Sequence, residues 1–441
     1  MARERPTYHE RIIQDPNIMV GKPVVKGTRV PVEKVLDQLA YKPDLKELFE
    51  IYPELTVEDV KACLAYAKAA VASKRGHPPR HIASSAAAVC GGQPMFRDTE
   101  KRRYEVIKRD LFSSEACQPG TYNRIPRPFC LADGHSDENL CDLFRDEAIA
   151  YFRRRSISWH DGLLAGEGEG GRGLPSNHLC CSQSACVNAL WPMTRDPELL
   201  ARAFSPFLPE THRILPFEGD GPLPDGTTPL LAFEWIGQDN YLAEKGWGTR
   251  GANATSADFA FRFQRYDGHT QLVLGEWKYT ECYGKSMPDP ATLNQTRLNT
   301  YREPFRRWAE SRPGLPPYET FFVEPFYQLM RLTLLAQEME WAAQRGRGEM
   351  GAEVVSVVYI SPKANRELSE NFEAAPTLKQ FGNTIWSAWA HIAPPERFLS
   401  VTTESFLTAV EQVAPEPLHR WTEYLLTRYG WWRQPAITRV S

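Results

Sequence analysis

The chain has 441 residues, 42 % apolar, 11 % aromatic and 24 % charged, which permits a buried core and excludes wholesale disorder. Its formal net charge of −3 excludes a global basic field, although residues 1–80 hold 14 Lys and Arg against 11 Asp and Glu, a local excess compatible with phosphate contacts. No run approaches the roughly 18 apolar residues that cross a bilayer, and Met1-Ala2-Arg3-Glu4-Arg5-Pro6 lacks a signal-peptide core, so the expected location is the cytoplasm.

Residues 8–74 read as one small unit, mainly α-helical. Arg11-Ile12-Ile13 is a short strand, and Val24-Val25 and Val30 flank a turn at Gly27-Thr28-Arg29. A first helix is predicted over about 31–40, opened by Pro31 with Val35, Leu36 and Leu39 as its apolar stripe. A second runs over about 44–52, capped by Asp44 and stopped by Pro53. A third starts at Thr56, with Asp59 three residues on, and carries Val60, Cys63, Leu64 and Ala67 on one face. Two short helices joined by Tyr52-Pro53-Glu54-Leu55 outline a helix-turn-helix.

The stretch Ile18-Met19-Val20-Gly21-Lys22-Pro23-Val24-Val25-Lys26-Gly27-Thr28-Arg29-Val30-Pro31-Val32, together with residues 52–60, resembles a small bacterial family of antitoxin-like, winged-helix-type domains. That resemblance implies DNA binding or binding of a protein partner, such as a toxin-like one, and implies no catalysis. The alternative is a dimerisation module that does not touch DNA.

Residues 76–100 lack a sustained amphipathic period and read as a linker, with Gly76-His77-Pro78-Pro79 and Gly91-Gly92 as punctuation. Residues 101–441 then read as one large domain with its core at about 174–405. A helix starts at a Ser176 cap and carries Leu179, Gln183, Cys186, Val187 and Leu190 on one face before Pro192. Residues 230–236 form a strand. Next come alternating residues at 257–263 and 272–279 on either side of Asp267-Gly268, the pattern of a β-hairpin. A second long helix opens at Glu324-Pro325, and residues 354–361 form a buried strand.

Period two places Glu276 and Lys278 on one face of the second hairpin strand. With a loop of Asp267-Gly268-His269, residues 266 and 270 pair and Asp258 falls opposite Lys278. Three ionisable groups then converge at one end of a largely apolar hairpin. The bland alternative is a solvated charged face.

The order helix, three strands, helix, strand is that of the PD-(D/E)XK nuclease core. Residues about 100–430 resemble bacterial restriction endonucleases of that superfamily, on Ile157-Ser158-Trp159-His160, Leu174-Pro175-Ser176-Asn177-His178-Leu179, Asp258 with Glu276-Trp277-Lys278-Tyr279-Thr280-Glu281, and Pro325-Phe326-Tyr327-Gln328-Leu329-Met330-Arg331. One departure is plain: Ala257 stands where the motif has proline. The fold class expected is α/β (α+β), a restriction-endonuclease-like αβββαβ core with extra helices. The implied activity is that of a type II restriction-like endodeoxyribonuclease acting on DNA; cutting both strands would by symmetry call for a homodimer, which no residue here specifies.

Phosphodiester hydrolysis needs an in-line water, neutralised charge on the phosphate and a stabilised leaving oxygen. Two carboxylates are hard ligands suited to Mg²⁺, with Mn²⁺ as an alternative. Asp258 and Glu276 fit that role, and the resemblance adds the backbone carbonyl of Trp277. Lys278 would orient or deprotonate the attacking water, or stabilise the pentavalent state. Glu234 is either a further metal ligand or a solvated strand residue. Gln183 is either a core amide or a site residue. Gln328 and Arg331, three apart on one helix face, suit a phosphate clamp or a buried structural pair. The competing class is a non-catalytic DNA-binding or toxin–antitoxin-type regulator with a degenerate nuclease fold.

Other signals carry less. Gly166-Glu167-Gly168-Glu169-Gly170-Gly171-Arg172-Gly173 has no Gly-Lys-Ser/Thr after it and reads as a surface loop, not a Walker loop. Nine cysteines without a CxxC read as reduced thiols. Only Cys282 lies beyond the proposed site, against an iron–sulfur cluster. Trp431-Trp432 reads as packing.

Overall fold

Proline at residue 31 and a Thr56–Asp59 pair set where the first helices begin. In the computed structural model the described residues are 11–13, 23–28, 30–41, 45–73, 89–90, 93–122, 125–160, 173–251, 254–283 and 295–433. The chain divides into two units, residues 1–86 and 87–441. In the first, β1 (Ile12–Ile13) pairs antiparallel with β2 (Val24–Val25). Helices α1 (Val32–Tyr41), α2 (Leu45–Ile51) and α3 (Val57–Ser73) follow. Thr56 and Asp59 cap α3 reciprocally, Asp59 N–H donating to Thr56 Oγ1 at 3.3 Å and Thr56 N–H to Asp59 Oδ2 at 2.9 Å. Val25, Val35, Leu48, Val60 and Cys63 form its core. The predicted Asp44 cap lies outside the described residues.

The second unit begins earlier than the sequence suggests. Short hairpins β3–β4 (Val89–Cys90, Gln93–Pro94) and β5–β6 (Gly120–Tyr122, Ile125–Arg127) flank α4 (Phe96–Leu111), so the predicted linker runs into a helix. Phe96 packs edge-on against Trp431 at 5.1 Å between centroids, a partner more than 300 residues away that no local pattern announces. α5 (Arg145–Arg154), α6 (Ser182–Leu190) and α7 (Pro197–Phe204) follow. The first of the predicted core helices therefore starts six residues after Ser176, whose hydroxyl accepts from the His178 N–H at 3.1 Å in a local turn.

The core is a mixed sheet in the order β12-β11-β10-β9-β7, with β8 also paired to β9. Its strands are β7 (Thr211–Leu215), β8 (Leu231–Trp235), β9 (Ala257–Arg265), β10 (Thr270–Trp277), β11 (Val354–Ser361) and β12 (Phe398–Thr402). β9 is antiparallel to β7, β8 and β10, whereas β10–β11 and β11–β12 are parallel. Between β10 and β11 the chain forms α8 (Gln295–Ser311) and α9 (Phe326–Ala343). α10 (Arg366–Ser369) and α11 (Ile385–Ile392) precede β12, and α12 (Thr403–Val413) and α13 (His419–Tyr429) follow it. Alternation along β10 sends Val273 and Trp277 into one apolar layer and Leu272 and Leu274 into the other. Strands buried on both faces read as near-continuous apolar runs. The protein is thus a mixed α/β fold with a small N-terminal unit, and α6, β8–β9–β10, α9 and β11 supply the expected order; β7 and β12 extend the sheet. Among the described residues no helix is long and apolar enough to cross a membrane.

Candidate active site

The hairpin closes one residue earlier than predicted. Arg265 N–H donates to the His269 carbonyl at 2.8 Å, leaving Tyr266, Asp267 and Gly268 as the loop. Gly268 takes φ +92°, the left-handed position that three-residue hairpin loops give to glycine. Asp267 Oδ1 accepts from the His269 N–H at 3.1 Å and fixes the turn. The ladder therefore pairs Gly275 with Phe259, and continuing it puts Asp258 opposite Glu276, not opposite Lys278. The correction brings the two acids face to face.

Glu234 joins them from β8. That strand pairs Phe233 with Phe259 and Trp235 with Ala257, so Glu234 sits across from Asp258 and three acids form a row over three adjacent strands. The buried Cys186 thiol of α6 lies within electrostatic range of all three. Burial pushes the Asp258 carboxyl well above its usual value, with Glu276 and Glu234 adding to the shift and Lys278 opposing it. Glu234 is also raised, chiefly by burial. Like charges gathered in a covered site disfavour ionisation in this way.

Lys278 is the counter-charge. Its Nζ stands 2.7 Å from Glu276 Oε1, with both side chains under 10 % exposed. Burial alone would lower the ammonium, but Glu276, Tyr283, Tyr359 and Glu281 together hold it well above the usual lysine value. The Lys278 N–H donates to the Ile360 carbonyl at 2.8 Å, tying the residue to β11. Asp258 Oδ2 accepts from the Trp277 N–H at 2.7 Å, so the backbone of Trp277 runs beside the acid pair. Asp258 is half-buried and keeps solvent-facing surface.

Gln183 points at the row. Its Nε2 donates to Glu234 Oε1 at 2.6 Å and to the Ser158 carbonyl at 3.1 Å, while its Oε1 accepts from the His160 N–H at 2.7 Å. It is both a satisfied core amide and a neighbour of the site. Gln328 and Arg331 make their hydrogen bonds to residues outside the acid row. Gln328 Oε1 accepts from the Tyr283 hydroxyl at 3.4 Å. Arg331 Nε donates to Thr255 Oγ1 at 3.0 Å and Nη2 lies 3.7 Å from Glu244 Oε1. Its guanidinium also lies 5.9 and 5.4 Å from the ring centroids of Tyr301 and Tyr327. These contacts hold the guanidinium against protein groups.

The sequence reading passed over two residues. Glu324, just before α9, has a carboxylate oxygen buried without a hydrogen-bond partner. Burial raises its pKa, against Lys278 and Arg331, which lower it. Its only signal in the sequence is an acid before the proline that starts a helix. Arg250 is the second: Nε donates to the Glu234 carbonyl at 2.9 Å and Nη2 to that of Phe233.

Among the described residues, no three His, Cys, Asp or Glu side chains gather closely enough to form a metal site by themselves. The donors at this end of the sheet nevertheless suit a hard divalent cation. Two carboxylates oppose one another, a third follows, and Lys278 is ion-paired to one of them, so a further positive charge would relieve the repulsion that raises Asp258.

The chain belongs to the family described as Restriction Endonuclease associating with ARP, which matches residues 106–430. Residues 12–67 match a second family, DUF433, described as a protein of unknown function. A stretch of 60 residues, 14 % of this chain, is 37 % identical to the uncharacterized protein y4eO of Sinorhizobium fredii (strain NBRC 101917 / NGR234). The match spans only 27 % of that relative's length. No solved structure matches the chain.

Proposed function

We propose that this protein is a metal-dependent nuclease of the PD-(D/E)XK type that hydrolyses DNA phosphodiester bonds, in the manner of type II restriction enzymes. The observation that carries the reading is the pairing of Lys278 with Glu276 at 2.7 Å, directly across the hairpin from Asp258. Membership of a restriction-endonuclease-associated family over residues 106–430 supports it.

Asp258 and Glu276, with the Trp277 carbonyl, would hold Mg²⁺ or Mn²⁺, and Glu234 would add negative potential from the next strand. Bound there, the ion supplies charge neutralisation at the phosphate and a more acidic water. Lys278, paired with Glu276, would orient the attacking water and stabilise the extra negative charge on the phosphoryl oxygens. Gln183 holds the Glu234 carboxylate in orientation. The N-terminal unit, with its local basic excess, would add contacts to DNA or to a toxin-like protein partner.

The test is cleavage of plasmid DNA in Mg²⁺, Mn²⁺ or EDTA by wild type, Glu276→Ala and Lys278→Ala. Metal-dependent cutting should be lost in both variants, by on the order of a thousandfold if several kcal/mol of charge stabilisation disappears. Identical cutting by all three proteins would remove the assigned site. Retarded DNA without cutting by any of them would favour the non-catalytic regulator.

A further inference from the structure

Glu234 is a strained residue. Its φ is +50°, in the left-handed region that costs a non-glycine residue about 1–3 kcal/mol and persists only where surrounding structure imposes it. It occurs inside a five-residue strand, flanked by regular pairs on both sides. A glycine or asparagine would take this conformation at lower cost, so a carboxylate at this position is not what backbone shape asks for.

The surrounding structure that imposes it centres on Arg250. This one guanidinium takes both carbonyls at the bend, those of Phe233 and Glu234. Its remaining donors go to Asp220 Oδ1 at 2.5 Å and to the Tyr151 hydroxyl at 3.3 Å. Asp220, with no exposed side-chain surface, also accepts from Arg155 Nε at 3.0 Å and from the Tyr151 hydroxyl at 2.7 Å. Tyr151 in turn accepts from the Phe233 N–H at 3.0 Å. The loop reaches the strand because residue 251 is glycine: at its φ of +70° a Cβ would lie 2.9 Å from the Ser158 carbonyl and 3.4 Å from Glu234 Cδ. On the side chain, Gln183 and Ser256 each donate to one carboxylate oxygen, at 2.6 and 2.8 Å. Arg250, Gln183 and Ser256 thus converge on a single bent residue, with Asp220 and Tyr151 behind the arginine.

We infer that Arg250, braced by Asp220 and Tyr151, is a positioning residue that bends β8 at Glu234 and so holds the Glu234 carboxylate in the row with Asp258 and Glu276, where it strengthens binding of a divalent cation. The inference rests on the nuclease reading of the row. At the bend Arg250 gives its hydrogen bonds to backbone carbonyls and lies 5.3 Å from the Trp235 ring centroid, so it acts through Glu234. Outer residues that orient ligands in this way are worth about 10–100-fold in metal affinity.

Binding of Mn²⁺ to the whole chain, measured by calorimetry without DNA, tests this. Arg250→Met and Glu234→Asn should each weaken Mn²⁺ binding by about tenfold or more, and the double variant should be no weaker than the weaker single one. Glu234→Asn should not lower the melting temperature of the metal-free protein, because it relieves the bend. Arg250→Lys keeps the charge beside Asp220 but lacks the fork that reaches two carbonyls; it should fold and still bind Mn²⁺ less tightly than wild type, which keeps the test decisive if Arg250→Met does not fold. Wild-type affinity in Arg250→Lys, or effects of Arg250→Met and Glu234→Asn that multiply, would overturn the positioning role alone, provided Asp258→Ala abolishes Mn²⁺ binding. A wild type that takes up no Mn²⁺ would overturn the nuclease reading and this inference together.

Discussion

Two buried clusters of charge meet at adjacent residues, Lys278 and Tyr279, and they are built on opposite principles. Around Tyr279, opposite charges and carbonyls are matched. Glu100, fully buried, takes Arg103 Nε at 2.9 Å and Nη2 at 2.7 Å, and accepts from the Tyr279 hydroxyl as well. Arg103 also donates to the carbonyls of Thr427 and Arg428, at 3.2 and 2.5 Å. Arg428 sends Nη1 to the Asn139 carbonyl at 2.6 Å and lies 4.9 Å from the Tyr429 ring centroid, leaving only Nε without an acceptor. Around Lys278, three acids share one lysine, and Asp258 and Glu234 are pushed toward their protonated forms. A cluster completed by protein groups fastens α4 and α13 to the end of β10. In the proposed nuclease, the cluster left short of positive charge is the one that would take a cation. Covered charge is tolerated only when paired, and on the proposed reading that imbalance is what sets this end of the sheet apart.

The largest separation between the two clusters should come from Glu100→Ala. Removing one partner of a buried pair leaves the other charge uncompensated, at about 3–5 kcal/mol. Chemical denaturation should show that loss of stability, while Mn²⁺ affinity and cleavage per folded molecule remain those of wild type. A variant with unchanged stability but lost metal binding would mean that the two clusters are one site.

Asp258→Asn should act in the opposite sense. The amide can still accept from the Trp277 N–H and removes one like charge from the row, so the metal-free protein at neutral pH should be more stable than wild type. Cleavage should disappear. Lower stability together with lost cleavage would show that Asp258 is matched by groups around it, as Glu100 is, and would erase the contrast.

This contrast was only half legible in the sequence. Alternation around Asp267-Gly268 revealed the hairpin, and period two put Glu276 and Lys278 on one face, because both are local consequences of backbone geometry. The register was missed because it depends on which residues close the loop: pairing Arg265 with His269, rather than 266 with 270, moves Asp258 from Lys278 to Glu276. The matched cluster was invisible for another reason. Arg103 and Tyr279 are separated by 176 residues and Arg103 and Arg428 by 325, so no local pattern announces the contacts that α4 makes. Glu234 was recognised as a candidate, but the bend that presents it rests on Arg250, Asp220 and Tyr151, contacts that only the folded chain brings together.

The smallest effect is the most specific. Asp258 and Glu234 hold their protons more tightly in the folded protein than their ordinary values of 3.8 and 4.5 imply. Their effect on stability is therefore most favourable below those ordinary values and is lost as pH rises through the raised ones. A divalent cation binds the ionised acids, so it restores stability in the range where they have become ionised and competes with protons below it. The gain in melting temperature on adding Mg²⁺ should thus be absent in acid buffer, grow through the raised carboxyl range and level off above it. Asp258→Asn should flatten that rise, whereas Glu100→Ala, though less stable throughout, should keep it. A Mg²⁺ gain that is independent of pH in the wild type would place the cation away from this row.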